Sequence, residues 1–249
     1  MGWRGEYSSP PDRPGGWVCD PCLDGDLAQR EELGRVAQAE ELLEQTGIPP
    51  RYLRHRIHRV VVQGELEPDD AFRARVLGQA EAVIGATRWN RRLVEYLQAW
   101  RPGQPTAYLM GPVGGGKSVL LAALAAHWHV VRWRQGGRPV AWLSEADLVE
   151  RCRRRQGSST DWLEGVRIAV LDDLGTADDA KWAVRVTEEA IRYAYEHQVS
   201  LFVSSNLRFD ELAERCGERA ADRLFEITGG RQFELRGWSW RTGVPHREA

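Results

Sequence analysis

The sequence predicts an α/β fold organised on a parallel sheet, and three observations carry that expectation. The first is the stretch Gly111, Pro112, Val113, Gly114, Gly115, Gly116, Lys117 and Ser118, which satisfies the phosphate-loop pattern G-x-x-x-x-G-K-S/T. The second is Arg167-Ile-Ala-Val-Leu-Asp-Asp173, an apolar run closing on two acids, as in a strand buried on both faces. The third is the alternation of strand-like and helix-like segments from residue 107 to 235, which implies parallel strands joined by right-handed crossovers.

The chain opens with an arm. Residues 1–25 are rich in Pro, Gly, Ser and Asp and carry Trp3, Tyr7 and Trp17, the composition of a poorly ordered arm or docking peptide. Residues 26–45 then repeat Leu27, Leu33, Val36, Ala37, Leu42 and Leu43 at roughly helical spacing. Thr46-Gly47 stops that helix and Pro49-Pro50 prevents its resumption, which divides the chain into a small helical N-terminal segment, 1–46, and a main domain, 47–249. Residues 47–67 read as a turn and a short extended piece at Val60-Val-Val62, with Arg51, Arg54, Arg56 and Arg59 able to touch phosphate but more simply read as a solvated face. Residues 71–100 are helical in composition with a break near Gly85-Ala-Thr87.

Residues 107–110 form the strand that enters the loop, and the Ala/Leu-rich residues 118–129 the helix that leaves it. A strand over 138–143 follows, then a helix to Gln156 opened by Ser144 and Asp147 in the manner of a capping box. After the acidic strand come a helix over 182–197, a strand over 199–204, helices over 210–216 and 218–227, and a strand over 232–235. The expected sheet is therefore five-stranded.

Composition excludes several classes of function. A length of 249 residues with 42% hydrophobic content suits a medium domain with an appendage. The longest uninterrupted apolar run, residues 119–126, is far short of the roughly 20 needed to span a bilayer. The N-terminus lacks the apolar core of a secretory signal, so a cytoplasmic protein with no membrane partner is expected. A net charge of −2 leaves any nucleic-acid contact to a local basic patch. The densest is Arg151, Arg153, Arg154 and Arg155, which would meet a single-stranded DNA backbone or merely complement its own helix dipole. Cys19 and Cys22 have ligand-like spacing, but zinc needs four ligands, so reduced thiols compete with a zinc site.

The loop and the acids together carry chemistry. Glycines let successive backbone N–H groups face an anion at a helix N-terminus, Lys117 reaches the β- and γ-phosphates, and Ser118 ligates Mg²⁺. Asp172 and Asp173 emerge at the carboxyl end of their strand, the edge where open α/β sheets bind ligands. This is the Walker B pattern, in which Asp172 holds Mg²⁺ through water and Asp173 polarises the attacking water. A turn that binds nothing and two acids that cap a turn are the bland alternatives, and the agreement of the two motifs argues against both.

Residues 47–241 resemble the AAA+ ATPases of the DnaC type, the replicative-helicase loaders, and the related IstB-type transposition helpers. The carriers are Gly47-Ile-Pro-Pro-Arg-Tyr52, Gly111 to Ser118, Leu171-Asp-Asp-Leu-Gly175, Ser204-Ser-Asn-Leu207, Gly217-Glu-Arg-Ala-Ala-Asp-Arg-Leu224 and Arg236-Gly-Trp-Ser-Trp-Arg241. The resemblance implies an AAA+ core without a helical lid domain, since 19 residues follow Gly230. It implies ATP and Mg²⁺ as cofactors, Asn206 as the sensor of the γ-phosphate, and Arg219 and Arg223 as the arginines offered to a neighbouring subunit's nucleotide. Asp173 departs from the Glu common among AAA+ proteins and implies slower hydrolysis.

Four functions compete on this reading. A self-assembling ATP switch grips single-stranded DNA and uses its N-terminal segment to recruit a replicative helicase; in the second, the same ATPase serves a transposase. A small-molecule P-loop kinase would leave Arg219 and Arg223 without a role. A nucleotide-binding scaffold without turnover is the fourth.

Overall fold

The computed structural model describes residues 43–53, 60–61, 69–85, 88–133, 140–176 and 181–236, together with residues 34, 37 and 41. The elements in chain order are α1 (Pro50–Leu53), α2 (Asp69–Ile84), α3 (Arg88–Ala99), β1 (Tyr108–Met110), α4 (Lys117–Trp133), β2 (Val140–Ser144), α5 (Glu145–Arg153) and a 3-10 turn (Asp161–Leu163). They continue with β3 (Ile168–Leu174), α6 (Lys181–Glu196), β4 (Ser200–Ser205), α7 (Phe209–Cys216), α8 (Glu218–Thr228) and β5 (Gln232–Glu234). All strands pair in parallel, in the order β2-β3-β4-β1-β5. The five-stranded parallel core that the AAA+ resemblance implies is present.

Strand alternation sends successive side chains to opposite faces, and each face is covered by helices. Val140, Trp142, Ile168 and Val170 pack with α2, α3 and α4, whereas Ala141, Leu143, Ala169 and Leu171 pack with α5, α6, α7 and α8. The result is three layers, helix, sheet and helix. Helix α4 is buried along residues 119–130, so its Leu and Ala run is apolar all round rather than on one stripe. Each fully buried Leu there, such as Leu120, Leu121 and Leu124, contributes about 1.5–3 kcal/mol.

Two docking contacts position the site. The segment before α1 lies along β2: the Trp142 N–H donates to the Thr46 carbonyl at 2.9 Å. Leu43 and Ile48 are in the same core as α4. Helix α2 is held to α3 and α4 by the buried Arg73, whose Nε donates to His127 Nε2 at 3.1 Å and whose NH1 donates to the Gln98 carbonyl at 3.0 Å. The Arg73 guanidinium also lies 4.7 Å from the Trp128 ring centroid.

Three local expectations are corrected. Val60 and Val61 are helical and buried rather than extended, because burial against the core outweighs the weak β preference of branched residues. Pro50 does not merely block a helix; it starts α1, where a first-turn proline loses no hydrogen bond. Helix α5 ends at Arg153 rather than Gln156, with Arg155 at φ 54° two residues beyond. The remaining helices and strands agree with expectation to within a few residues, and the described positions among 34–45 are helical. Residues 1–33, with Cys19 and Cys22, and Arg54, Arg56 and Arg59 lie outside the described residues. Among the described residues, no helix is long and apolar enough to cross a membrane.

Candidate active site

The phosphate loop leaves β1, between β4 and β5, and enters α4 at the carboxyl edge of the sheet. Glycine is required where the loop presses on its surroundings. A Cβ at Gly116, whose φ is 91°, would stand 2.1 Å from Ile84 Cγ2 at the end of α2. One at Gly111, whose φ is 138°, would stand 2.6 Å from the Leu235 carbonyl oxygen. The loop is thus gripped by α2 on one side and the residue after β5 on the other.

Sheet register then delivers three further groups to the loop. Met110 pairs with Ser205, so Gly111 and Asn206 leave neighbouring strands side by side. Lys117, only 4% exposed, donates to Asn206 Oδ1 at 2.9 Å and to the Gly111 and Pro112 carbonyls at 2.8 and 3.0 Å. The Ser118 hydroxyl donates to Asp172 Oδ1 at 2.8 Å. The fold is that of a P-loop NTPase.

The two acids of this NTPase fold sit in an irregularity of β3. Its register against β4 slips between Leu171 and Leu174, and Asp173 adopts a φ of 54°. Such a bulge re-aims a side chain, and Asp tolerates the left-handed region better than most residues, including Glu. That preference is a backbone reason for the shorter acid at 173. The Ser204 hydroxyl holds the bulge together, accepting the Asp173 N–H at 3.0 Å while donating to Asp172 Oδ1. As a result Asp172 is buried, whereas Asp173 faces the site beside Lys117 and Ser118.

Burial pushes the Asp172 carboxyl up from its ordinary range; the Ser204 hydroxyl holds it down, the Asp173 charge pushes it up again, and Ser118 holds it down. A divalent cation would offset both upward causes. A hydroxyl and a carboxylate in contact, with a second carboxylate adjacent, are hard oxygen donors that fit Mg²⁺, which Ser118 and Asp172 could hold. When bound, Mg²⁺ supplies positive charge against phosphate oxygens.

Four lining residues carry no assignment from the sequence motifs: Arg51, Tyr52, Val119 and Thr176. Arg51 is exposed, as the solvated-face reading expects, and it also lines the site. Its NH2 donates to the Tyr52 hydroxyl at 3.1 Å and its guanidinium lies 4.9 Å from that ring's centroid. The Tyr52 hydroxyl first, and more weakly the Asp172 and Asp173 charges, raise its pKa above the ordinary value, so the guanidinium feels both acids across the site. Tyr52 packs against Trp142, with ring centroids 5.8 Å apart. The available signal was Gly47-Ile-Pro-Pro-Arg-Tyr52, which marks the segment without saying where it docks. Thr176 donates to the Asp173 carbonyl at 2.6 Å, and nothing in its sequence context distinguishes it.

The basic candidates lie elsewhere. Arg219 is exposed and Arg223 half-buried on α8, and neither lines the site of its own chain. Arg153 and Arg154 pair with Glu150 at 3.2 and 2.5 Å. Arg151 and Arg155 are exposed and make no side-chain hydrogen bond or ion pair among the described residues.

No family model matches the chain. Among curated proteins it is similar to the chloroplastic chaperone protein ClpC4 of Oryza sativa subsp. japonica, 38% identical over 86 residues. That match covers 34% of this chain and 9% of ClpC4, so the chain spans about a tenth of that relative. Among solved structures it is similar to the DnaC helicase loader, at 19% identity and a TM-score of 0.48 over 61% of this chain and 92% of that one. It is similar to DnaI at 20% identity and a TM-score of 0.47, covering 65% and 93%. It is also similar to AMPPCP-bound DnaA from Aquifex aeolicus at 17% and 0.47, covering 66% and 55%. Similarities of this grade assign no function to the chain, and the fold rests on its own loop and strand order.

Proposed function

We propose that this chain is an ATP hydrolase of the helicase-loader type, a switch that assembles side by side and uses residues 1–46 to recruit a replicative helicase. The observation that supports the hydrolase is the convergence of Lys117, Ser118, Asp172, Asp173 and Asn206 at one edge of the sheet. Lys117 exchanges its loop carbonyls for phosphate oxygens when ATP enters, and Asn206, bonded to the same ammonium, registers that exchange. Asp173, the more open acid, accepts the proton of the attacking water. Arg51 and Tyr52 close the site from the side of α1.

Asp173→Asn tests this assignment. Asn also tolerates the left-handed backbone, so the variant folds and binds ATP with wild-type affinity while turnover falls about 100-fold or more. An unchanged hydrolysis rate places the base elsewhere.

Single-stranded DNA is the proposed second ligand, met by the basic end of α5. Because Arg153 and Arg154 are already paired, the contact is carried by Arg151 and Arg155. Reversing both charges should weaken binding of a single-stranded oligonucleotide and reduce its salt slope by roughly 0.7 per lost phosphate contact. An unaltered slope rules this patch out. A transposase in place of the helicase leaves all of this chemistry intact, and pull-down with the full chain distinguishes the two partners.

A further inference from the structure

Glu145, the first residue of α5, is a carboxylate only 1% exposed. An acid in a first helical turn gains from the helix dipole without being buried, as the exposed Asp147 does in the same turn. Burying one is unfavourable unless hydrogen bonds replace its water. Here Oε2 accepts the Gly175 backbone N–H at 2.8 Å, and Oε1 accepts the Thr187 hydroxyl of α6 at 2.9 Å. The carboxylate therefore ties the start of α5 to α6 and to the turn that leaves the acidic strand.

That turn has little freedom of its own. Gly175 has a φ of 91°, and a Cβ there would lie 2.5 Å from Leu207 Cδ1, one residue past Asn206. Ser205 Oγ donates to the Leu174 carbonyl, and Thr176 Oγ1 reaches back to the Asp173 carbonyl at 2.6 Å. Any displacement of Gly175 is passed to Asp173 and Thr176, both of which line the nucleotide site, whereas Glu145 does not. We propose that Glu145 is a positioning residue of the nucleotide reaction: it holds the Gly175–Thr176 turn against α6 and so sets where Asp173 and Thr176 face the nucleotide. This inference rests on the hydrolase reading above.

The test uses the full chain with ATP and Mg²⁺. Glu145→Gln retains an acceptor for Gly175 and a group that can donate to the Thr187 hydroxyl, so its kcat stays near wild type. Glu145→Ala removes both bonds and lowers kcat by about 10–100-fold while the Kd for ATP stays within about twofold. Thr187→Val, which deletes only the link to α6 and keeps the side-chain shape, lowers kcat by a smaller factor and serves if the alanine variant does not fold. Unchanged kcat in Thr187→Val, or losses of kcat and affinity in parallel with Tm, would overturn the proposal and leave Glu145 a purely structural acid. Wild-type binding without turnover would defeat the hydrolase reading separately. The proposal is then decided by hydrogen exchange at Gly175 and Thr176, which must slow on nucleotide binding more in wild type than in Thr187→Val; equal protection overturns it.

Discussion

Lys117→Ala leaves a folded chain that no longer binds ATP at concentrations saturating the wild type. The ammonium lies between the loop and β4, already satisfied by two loop carbonyls and Asn206, so it is positioned before nucleotide arrives. Two charge-assisted hydrogen bonds to phosphate, at about 1.5–3 kcal/mol each, correspond to an affinity loss of roughly 100-fold or more. Calorimetric titration reads the loss, and a circular-dichroism melt separates it from unfolding. A folded variant with wild-type affinity removes the loop from the mechanism.

Arg223→Ala binds ATP normally and hydrolyses it poorly, with a deficit that reaches ~10³–10⁵ where an arginine finger acts in full. Arg219 and Arg223 of α8 are not among the residues that line the site of their own chain, so the arginine-finger reading calls on a neighbouring copy. Mixing Arg223→Ala with Lys117→Ala decides the point: each is inactive alone, yet a mixed assembly sets an intact arginine beside an intact loop at some junctions. Partial recovery of ATPase activity is expected. An assembly confirmed by light scattering that shows no recovery excludes action between chains.

The loop, both acids and Asn206 are legible in the amino-acid sequence because each motif is local. A strand that ends in a turn must place its last residues at one sheet edge, and the spacing of Gly111 to Ser118 concerns one loop alone. The misreadings have the opposite character. Val60-Val61 follows propensity in the sequence and burial in the fold, and propensity is the weaker force. Arg51 is exposed as its polar and basic neighbours suggest, but that it also lines the site depends on Thr46 docking against Trp142.

By itself, then, the sequence determined the α/β class, the five strands, and the meeting of Lys117, Ser118, Asp172 and Asp173 at one sheet edge. Only the tertiary structure decided that Arg51, Tyr52 and Thr176 share their site, that Ser204 bridges the two acids, and that Glu145 grips the turn beyond them. The physical reason is range. Periodicity and spacing encode the face a residue takes within its own element. Which faces then meet depends on strand order and on the β3 register slip, both products of packing over the whole core.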